Sequence, residues 1–106
     1  MIRLPAPIAR YFAAAEADDA DALAAGFAPD AHVHDERRDH HGRDAVRAWA
    51  AEARALYSFR AEPRSFEPAS DGGVVTAHVT GTFPGGRADL RYAFRLAGDL
   101  IQTLEI

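Results

Sequence analysis

The second half of the chain alternates between apolar and polar residues with a period of two. The apolar positions are Val75, Ala77, Val79, Gly81 and Phe83 in one run, and Leu90, Tyr92, Phe94 and Leu96 in the next. Successive side chains of a β-strand point to opposite faces, so the pattern predicts strands with one buried face. Pro84-Gly85-Gly86 and Gly98-Asp99 are typical turn sequences. They predict that these strands, and a last one from Leu100 to Ile106, pair as antiparallel hairpins.

The first half has the spacing of amphipathic helices. Pro7 suits the first turn of a helix, and a second short helix is predicted to begin at Asp18, Asp19 or Asp21 and to end near Gly26 and Pro29. A third helix is predicted after Gly42. The apolar stripes of the three helices are Ile8, Tyr11, Phe12 and Ala15; Ala22, Leu23 and Phe27; and Val46, Trp49, Ala50 and Ala53.

Two further strands complete the predicted fold. Residues 31–35 alternate, with Ala31, Val33 and Asp35 on the face that we assign to the interior, and a polar loop is predicted for residues 37–41. Residues 59–66 are predicted to form a strand that Pro63 either breaks or confines to the edge of a sheet. Helices followed by a meander of strands predict an α+β fold, with three N-terminal helices packed on a curved antiparallel β-sheet. We expect residues 1–106 to form a single domain.

Composition excludes several classes of function. The formal net charge is −4 and the 12 basic residues are scattered, so a nucleic-acid-binding surface is not expected. The chain has no cysteine, which excludes thiol chemistry and disulfides. No apolar run is long enough to span a bilayer, and the N-terminus does not have the pattern of a signal peptide. We therefore expect a cytoplasmic protein that does not bind membranes.

Several segments resemble one known superfamily. The segments are Ala9-Arg10-Tyr11, residues 27–35, residues 41–49, Arg95-Leu96 and residues 99–104. They are similar to parts of the nuclear transport factor 2-like (NTF2-like) superfamily, which includes ketosteroid isomerase and the SnoaL-like polyketide cyclases. The resemblance implies a cone-shaped α+β fold with an apolar pocket. It also implies a homodimer formed through the sheet.

The same resemblance implies roles for three residues. Tyr11 and Asp35 match the positions of the isomerase's catalytic tyrosine and catalytic aspartate, at the same spacing. Tyr92 stands where the isomerase has a second acid, and a tyrosine can also donate a hydrogen bond. A carboxylate at Asp35 would act as base beside a carbonyl, and the phenols would stabilise the oxyanion that forms. The ligand-binding wall would include Phe12, Phe27, Val33, Trp49 and Phe94.

Each of these residues also has a purely structural interpretation. Asp35 also fits a solvated strand end beside Glu36 and Arg37. Tyr11 fits equally a core tyrosine whose hydroxyl meets a backbone carbonyl. Trp49 fits a core position on the third helix as well as a pocket wall.

The histidines raise a separate hypothesis. His32, His34, His40 and His41 are close in sequence, and imidazoles are common metal ligands. Strand parity, however, sends His32 and His34 to the face opposite Asp35, so we expect no metal site. His78, Arg91 and Arg95 fall on the outer face of their strands, where a homodimer interface is expected.

Two functions remain open. The first is a cofactor-independent isomerase or cyclase that acts on a small hydrophobic carbonyl compound. The second is a non-catalytic module for ligand binding or dimerisation on the same fold.

Overall fold

The structure is a computed structural model that describes residues 2–56 and 58–106. Within these residues the chain forms three helices and six strands. The helices are α1 (Ala6–Glu16), α2 (Ala20–Ala25) and α3 (Arg43–Leu56). The strands are β1 (Phe27–Asp35), β2 (Arg38–His41), β3 (Phe59–Ala69), β4 (Gly72–Gly81), β5 (Arg87–Ala97) and β6 (Leu100–Glu105). The α+β class and the three helices predicted from the sequence are confirmed.

The six strands form one sheet in the order β2-β1-β6-β5-β4-β3. Strands β3, β4, β5 and β6 pair as successive antiparallel neighbours, as the alternation and the turns predict. Strand β1 pairs in parallel with β6, so the sheet is not antiparallel throughout. The two strands are joined by most of the chain, and no tight turn between them imposes an antiparallel direction.

The β1–β2 hairpin differs from the sequence-based prediction. Residues 38–41, which were predicted to be a loop, form strand β2. Glu36 and Arg37 have φ values of 53° and 64° and form the two-residue connection. Such tight hairpin turns need positive φ and usually contain glycine or asparagine. Glu-Arg does not have that sequence signature, which is why the hairpin was not predicted.

Phe27 and Pro63 also bear on the predicted elements. Phe27, which was predicted to lie on the apolar side of the second helix, is the first residue of β1 and pairs with Ile101. Helix α2 ends earlier, with Gly26 as its C-cap. Pro63 lies in the edge strand β3, where the register shifts between Pro63 and Ser65. The edge position predicted for this strand is confirmed. An edge strand accommodates Pro63, because a proline has no N–H to donate to a second neighbouring strand.

The core lies between the helices and one face of the sheet. Its largest fully buried side chains come from α1, α3 and three strands: Phe27, Ile8, Ile101, Leu104, Val33, Val46 and Val75. Burying a side chain of this kind stabilises a fold by roughly 1.5–3 kcal/mol. The opposite face, which we call the outer face, carries the polar residues of the alternating strands, including Thr76, His78, Arg91 and Arg95.

We predict that Gly72→Ala lowers the free energy of unfolding by about 2–3 kcal/mol. Gly72 begins β4 with φ +149°, and a Cβ there would lie 2.1 Å from the backbone oxygen of Phe94 on β5. Gly98→Ala is the matched control, because its φ is +61° and a Cβ would meet no atom within 4 Å. The control is expected to cost only about 1 kcal/mol. Equal losses in urea-induced unfolding would show that the β4–β5 contact is not as close as described.

Candidate functional site

A cavity of about 400 Å³ lies between the helices and the inner face of the sheet. Its buried wall includes Tyr11 of α1, Leu23 of α2, Val79 of β4 and Tyr92 of β5. Its exposed lining residues, which we call the cavity mouth, are Asp18, Asp19, Glu36, Arg38, Glu52, Leu56 and Pro84. The volume is in the range of ordinary small-molecule sites.

The sheet register brings Asp35 and Tyr92 to this cavity. Val33 of β1 pairs with Leu104 of β6, which pairs in turn with Phe94 of β5. Two residues further along these strands come Asp35, Ile106 and Tyr92, and all three line the cavity. The carboxylate and the phenol therefore reach the same space from strands that are separated by β6 alone.

The carboxylate of Asp35 is held by Trp49. The indole N–H of Trp49, on helix α3, donates to Oδ2 of the half-buried Asp35 over 3.1 Å. Helix α3 is itself fixed to β1, because Nε of Arg43 donates to the backbone oxygen of Phe27 over 2.8 Å. Among the described residues Oδ1 of Asp35 has no hydrogen-bond partner. One carboxylate oxygen is thus oriented by the protein and the other is free to accept a proton.

Tyr11 and Tyr92 present two phenols to the cavity. The residues are 7% and 4% exposed, and their ring centroids are 6.2 Å apart. Within residues 2–56 and 58–106 neither hydroxyl has a hydrogen-bond partner. No side-chain polar atom in the same part of the chain is both sealed from solvent and unsatisfied, so both hydroxyls open onto the cavity. They are available to donate to a bound molecule.

The surroundings keep both phenols protonated. Burial raises the pKa of Tyr11 well above its usual value, and the charges of Tyr92 and Asp35 raise it further. Burial, followed by the charge of Asp35, raises the pKa of Tyr92 to about 12. A negative carboxylate nearby disfavours a second negative charge. At neutral pH both hydroxyls are therefore neutral donors, and the charge of Asp35 contributes to the raised pKa of both phenols.

Four residues predicted for the ligand-binding wall do not line this cavity. Phe27, Val33 and Phe94 are at most 2% exposed and belong to the hydrophobic core. Phe94 meets Tyr11 with a centroid distance of 5.4 Å. Phe12 contacts Tyr92 at 5.2 Å and lines a separate small cavity beside β3. The rings of Phe12 and Phe94 therefore pack against the tyrosines on the side away from the cavity. Trp49 alone of the five predicted wall residues lines the cavity.

Several lining residues were missed by the sequence analysis. His40 and Arg38 line the cavity because residues 38–41 form a strand, and His40 pairs with Val33 of the inner face. Residues 38–41 are all polar, so no alternation of apolar and polar residues marks this strand in the sequence. Glu52 and Leu56 reach the mouth from the last turns of α3.

The four histidines divide between the two faces of the sheet. His40 lines the cavity, whereas His32 and His34 both contact Oδ1 of Asp39, over 2.7 Å and 2.9 Å, away from it. The hydrogen bond between His34 and Asp39 raises the pKa of His34 and, together with that of His32, lowers the pKa of Asp39. His41 stacks on His32 at 4.4 Å. In the described chain no group of three or more histidines and acids is arranged to hold a metal ion.

The helix order, the sheet and the cavity define a protein of the NTF2-like, ketosteroid isomerase-like fold. The model of the SnoaL-like domain family matches residues 8–101. The chain therefore belongs to the SnoaL-like domain family. None of the described helices has the length and apolar character needed to cross a bilayer. A comparison with curated proteins gave no match.

Solved structures resemble the chain over nearly all of its length. A candidate polyketide cyclase from Sinorhizobium meliloti is 39% identical, with a TM-score of 0.93 over 96% of this chain and 94% of that one. A protein from Catenulispora acidiphila, in complex with trimethylamine, is 20% identical with a TM-score of 0.88 (97% and 85% covered). A Mycobacterium tuberculosis protein in complex with estradiol-17β-hemisuccinate is 18% identical with a TM-score of 0.81 (97% and 92% covered).

We predict that Asp35→Asn lowers the pKa of Tyr92 from about 12 towards 10, without reaching it. Removing the carboxylate charge makes the tyrosinate less unfavourable, while burial continues to raise the pKa. Tyrosinate absorbance or NMR titration measures the change. Asp39→Asn, on the outer face, is the control and should leave the pKa of Tyr92 unchanged. An unchanged value in Asp35→Asn would mean that the carboxylate does not face the phenols.

Proposed function

We propose that this protein catalyses proton transfer on a small hydrophobic carbonyl compound, as an isomerase or cyclase that needs no cofactor. The observation that carries the proposal is the convergence of one oriented carboxylate and two unpartnered phenols on one largely apolar cavity. A general base beside a pair of neutral hydrogen-bond donors is what enolisation requires.

In the proposed reaction Asp35 removes a proton from the carbon next to the carbonyl. Its free Oδ1 takes the proton, the C–H electron pair becomes the enolate double bond, and the carbonyl oxygen takes the negative charge. In an isomerisation the Asp35 carboxylic acid returns the proton to a different carbon of the conjugated system. In a cyclisation the enolate carbon attacks a second carbonyl of the same molecule, and the proton goes to the new alkoxide.

Tyr11 and Tyr92 are proposed to stabilise the enolate oxygen. Both hydroxyls are neutral at physiological pH, because burial and the charge of Asp35 raise the pKa of each phenol. The surrounding aromatic rings, Phe12 and Phe94, hold the phenols in place and exclude water behind them. Preorganised donors in such an environment stabilise a developing oxyanion more strongly than water does.

Trp49 is proposed as a positioning residue for the base. Its bond to Oδ2 limits the rotation of the Asp35 carboxylate and leaves Oδ1 directed to the substrate. Holding a reacting group in its productive orientation lowers the entropic part of the barrier. The family and the 39% identical candidate polyketide cyclase support a cyclase, and the steroid complex of the more distant neighbour supports a hydrophobic ligand.

One observation favours the alternative, a binding module without catalysis. Leu56 is 62% exposed at the cavity mouth, so water has access to the site. Water competes for the hydrogen bonds that would stabilise an enolate. The experiment on the proposed reaction must therefore detect binding and chemistry separately.

We predict that the protein accelerates deuterium exchange at the carbon next to a carbonyl. The probes are hydrophobic cyclic ketones in D₂O, followed by NMR, together with a β,γ-unsaturated ketone whose conversion to the conjugated enone is followed by absorbance. Asp35→Asn should lower the rate by about 10²–10⁴-fold, since it removes the base. Tyr11→Phe and Tyr92→Phe should each lower it by about 10²-fold. Asp39→Asn should retain the wild-type rate.

The possible outcomes separate the two functions. Equal rates for the wild type and Asp35→Asn would remove the proposed base. Ligand binding that shifts the NMR signals of the ketone without any exchange would establish the binding module instead.

We also infer that the protein forms a homodimer through the outer face of the sheet. The face is polar but not fully solvated, because Thr76 and His78 are half-exposed between their cross-strand neighbours on β3 and β5. His78 is held by Asp89 of the neighbouring strand over 2.9 Å, which fixes its orientation. A mixed, ordered sheet face of this kind is compatible with a subunit interface.

Analytical ultracentrifugation at micromolar concentration is expected to show a dimer. A double variant, Thr76→Glu with Arg91→Glu, places two negative charges on paired positions of that face and should shift the protein to monomer. Glu52→Arg, at the cavity mouth, is the control and should remain dimeric. A wild-type protein that is entirely monomeric would contradict the inference.

A further inference from the structure

The cavity is lined by more negative than positive charge. Five carboxylates line it, from Asp18, Asp19, Asp35, Glu36 and Glu52, against the two guanidiniums of Arg38 and Arg54. With His40 neutral, the formal balance of the lining is −3. The chain as a whole carries −4, so most of its net charge is gathered around one opening.

Some of these charged groups form local hydrogen bonds or ion pairs, and others have no ion-pair partner among the described residues. Arg54 donates to the backbone oxygen of Ala15 over 2.9 Å, lies 5.5 Å above the ring of Phe59 and is 3.8 Å from Asp18. Asp19 accepts from the backbone N–H of Ala22 as the N-cap of α2. The guanidinium of Arg54 is thus held against α1 and β3.

Glu36 and Glu52 have no ion-pair partner among the described residues. The same holds for Arg38, the only basic lining residue of the described chain that is not held elsewhere. Together with Asp35, the unpaired groups carry three negative charges against one positive charge. The unpaired charge of the opening is therefore negative.

The inner wall adds aromatic surface to the carboxylates. The cavity is lined by five aromatic residues, Tyr11, Trp49, Phe59, Phe83 and Tyr92. The negative faces of aromatic rings attract ammonium groups, most strongly when these are poorly hydrated. The unpartnered hydroxyls of Tyr11 and Tyr92, from residues that are more than nine-tenths buried, supply donors for an uncharged polar group deeper inside.

We propose that the natural ligand of this cavity is a hydrophobic carbonyl compound that carries a tertiary or quaternary ammonium group. Its carbonyl meets the phenols of Tyr11 and Tyr92, and its ammonium group lies at the mouth, near Glu36 and Glu52. An anionic compound of the same shape is repelled from the opening. This assignment deepens the proposed function and rests on the same cavity, but it concerns charge recognition and does not require that a reaction follows.

The test uses three probes of nearly equal shape. They are 2-acetylnaphthalenes with a tert-butyl, a trimethylammonium or a sulfonate group at position 6, so that a neutral compound, a cation and an anion are compared on one skeleton. Affinities are measured by isothermal titration calorimetry at low and high salt. We expect the cation to bind about tenfold or more tightly than the anion at low salt, with the neutral probe between them. The ratio should fall towards one as salt screens the carboxylates.

Two double variants, each of which removes two negative charges, test whether the acids of the cavity mouth cause the charge selectivity. Glu36→Gln with Glu52→Gln should reduce the ratio of cation to anion affinity by about threefold or more, while the affinity of the neutral probe stays the same. Glu62→Gln with Glu67→Gln, on the exposed strand β3 outside this cavity, changes the net charge equally and should retain the wild-type ratio.

Three results would overturn the proposal. These are equal binding of cation and anion at low salt, an equal effect of the two double variants, and no binding of any probe. The deuterium-exchange assay on neutral ketones decides the proposed reaction independently. Charge-selective binding without exchange would retain this inference and reject catalysis. Exchange without charge-selective binding would support catalysis and reject this inference.

Discussion

The parallel pairing of β1 with β6 is the constraint on which the site depends. Val33, Leu104 and Phe94 are successive partners across β1, β6 and β5, and this register fixes where each strand ends. Asp35 and Tyr92 lie two residues further along, and both open to the cavity. A shift of one residue would turn every side chain of β1 to the other face. The carboxylate would then lie on the outer face and His34 would take its place.

The site combines a rigid apolar support with a few oriented polar groups. Phe12 and Phe94 pack against the tyrosines at centroid distances between 5.1 and 6.4 Å, and Trp49 on helix α3 orients the carboxylate of Asp35. Burial raises the pKa of both phenols, so they stay protonated and can donate hydrogen bonds. The same surroundings therefore serve stability and chemistry, since the residues that fill the core are those that hold the donors in place.

The sequence predicted the long periodic elements and failed where local signals were weak. Strands β4 and β5 were recognisable because nine or more residues alternate between one solvated and one buried face. Strand β2 was missed because Glu36 and Arg37 adopt positive φ without the glycine or asparagine that usually marks such a turn. That error concealed His40 and Arg38 as lining residues. Phe27 was placed at a helix end because an apolar residue beside a helix fits either element.

The amino-acid sequence by itself determined the class of fold, the inner face of each long strand and the candidate pair Tyr11 and Asp35. The fold class and the strand faces follow from periodicity and turn residues, which are properties of neighbouring residues along the chain. The candidate pair follows from the resemblance to the NTF2-like superfamily. Tertiary structure decided which apolar residues line a cavity and which fill the core, and it supplied the bond from Trp49 to Asp35. It also decided that Asp35, Glu36 and Glu52, which have no ion-pair partner among the described residues, line one opening. Such features depend on how helices cover a sheet, and that geometry joins residues far apart in sequence.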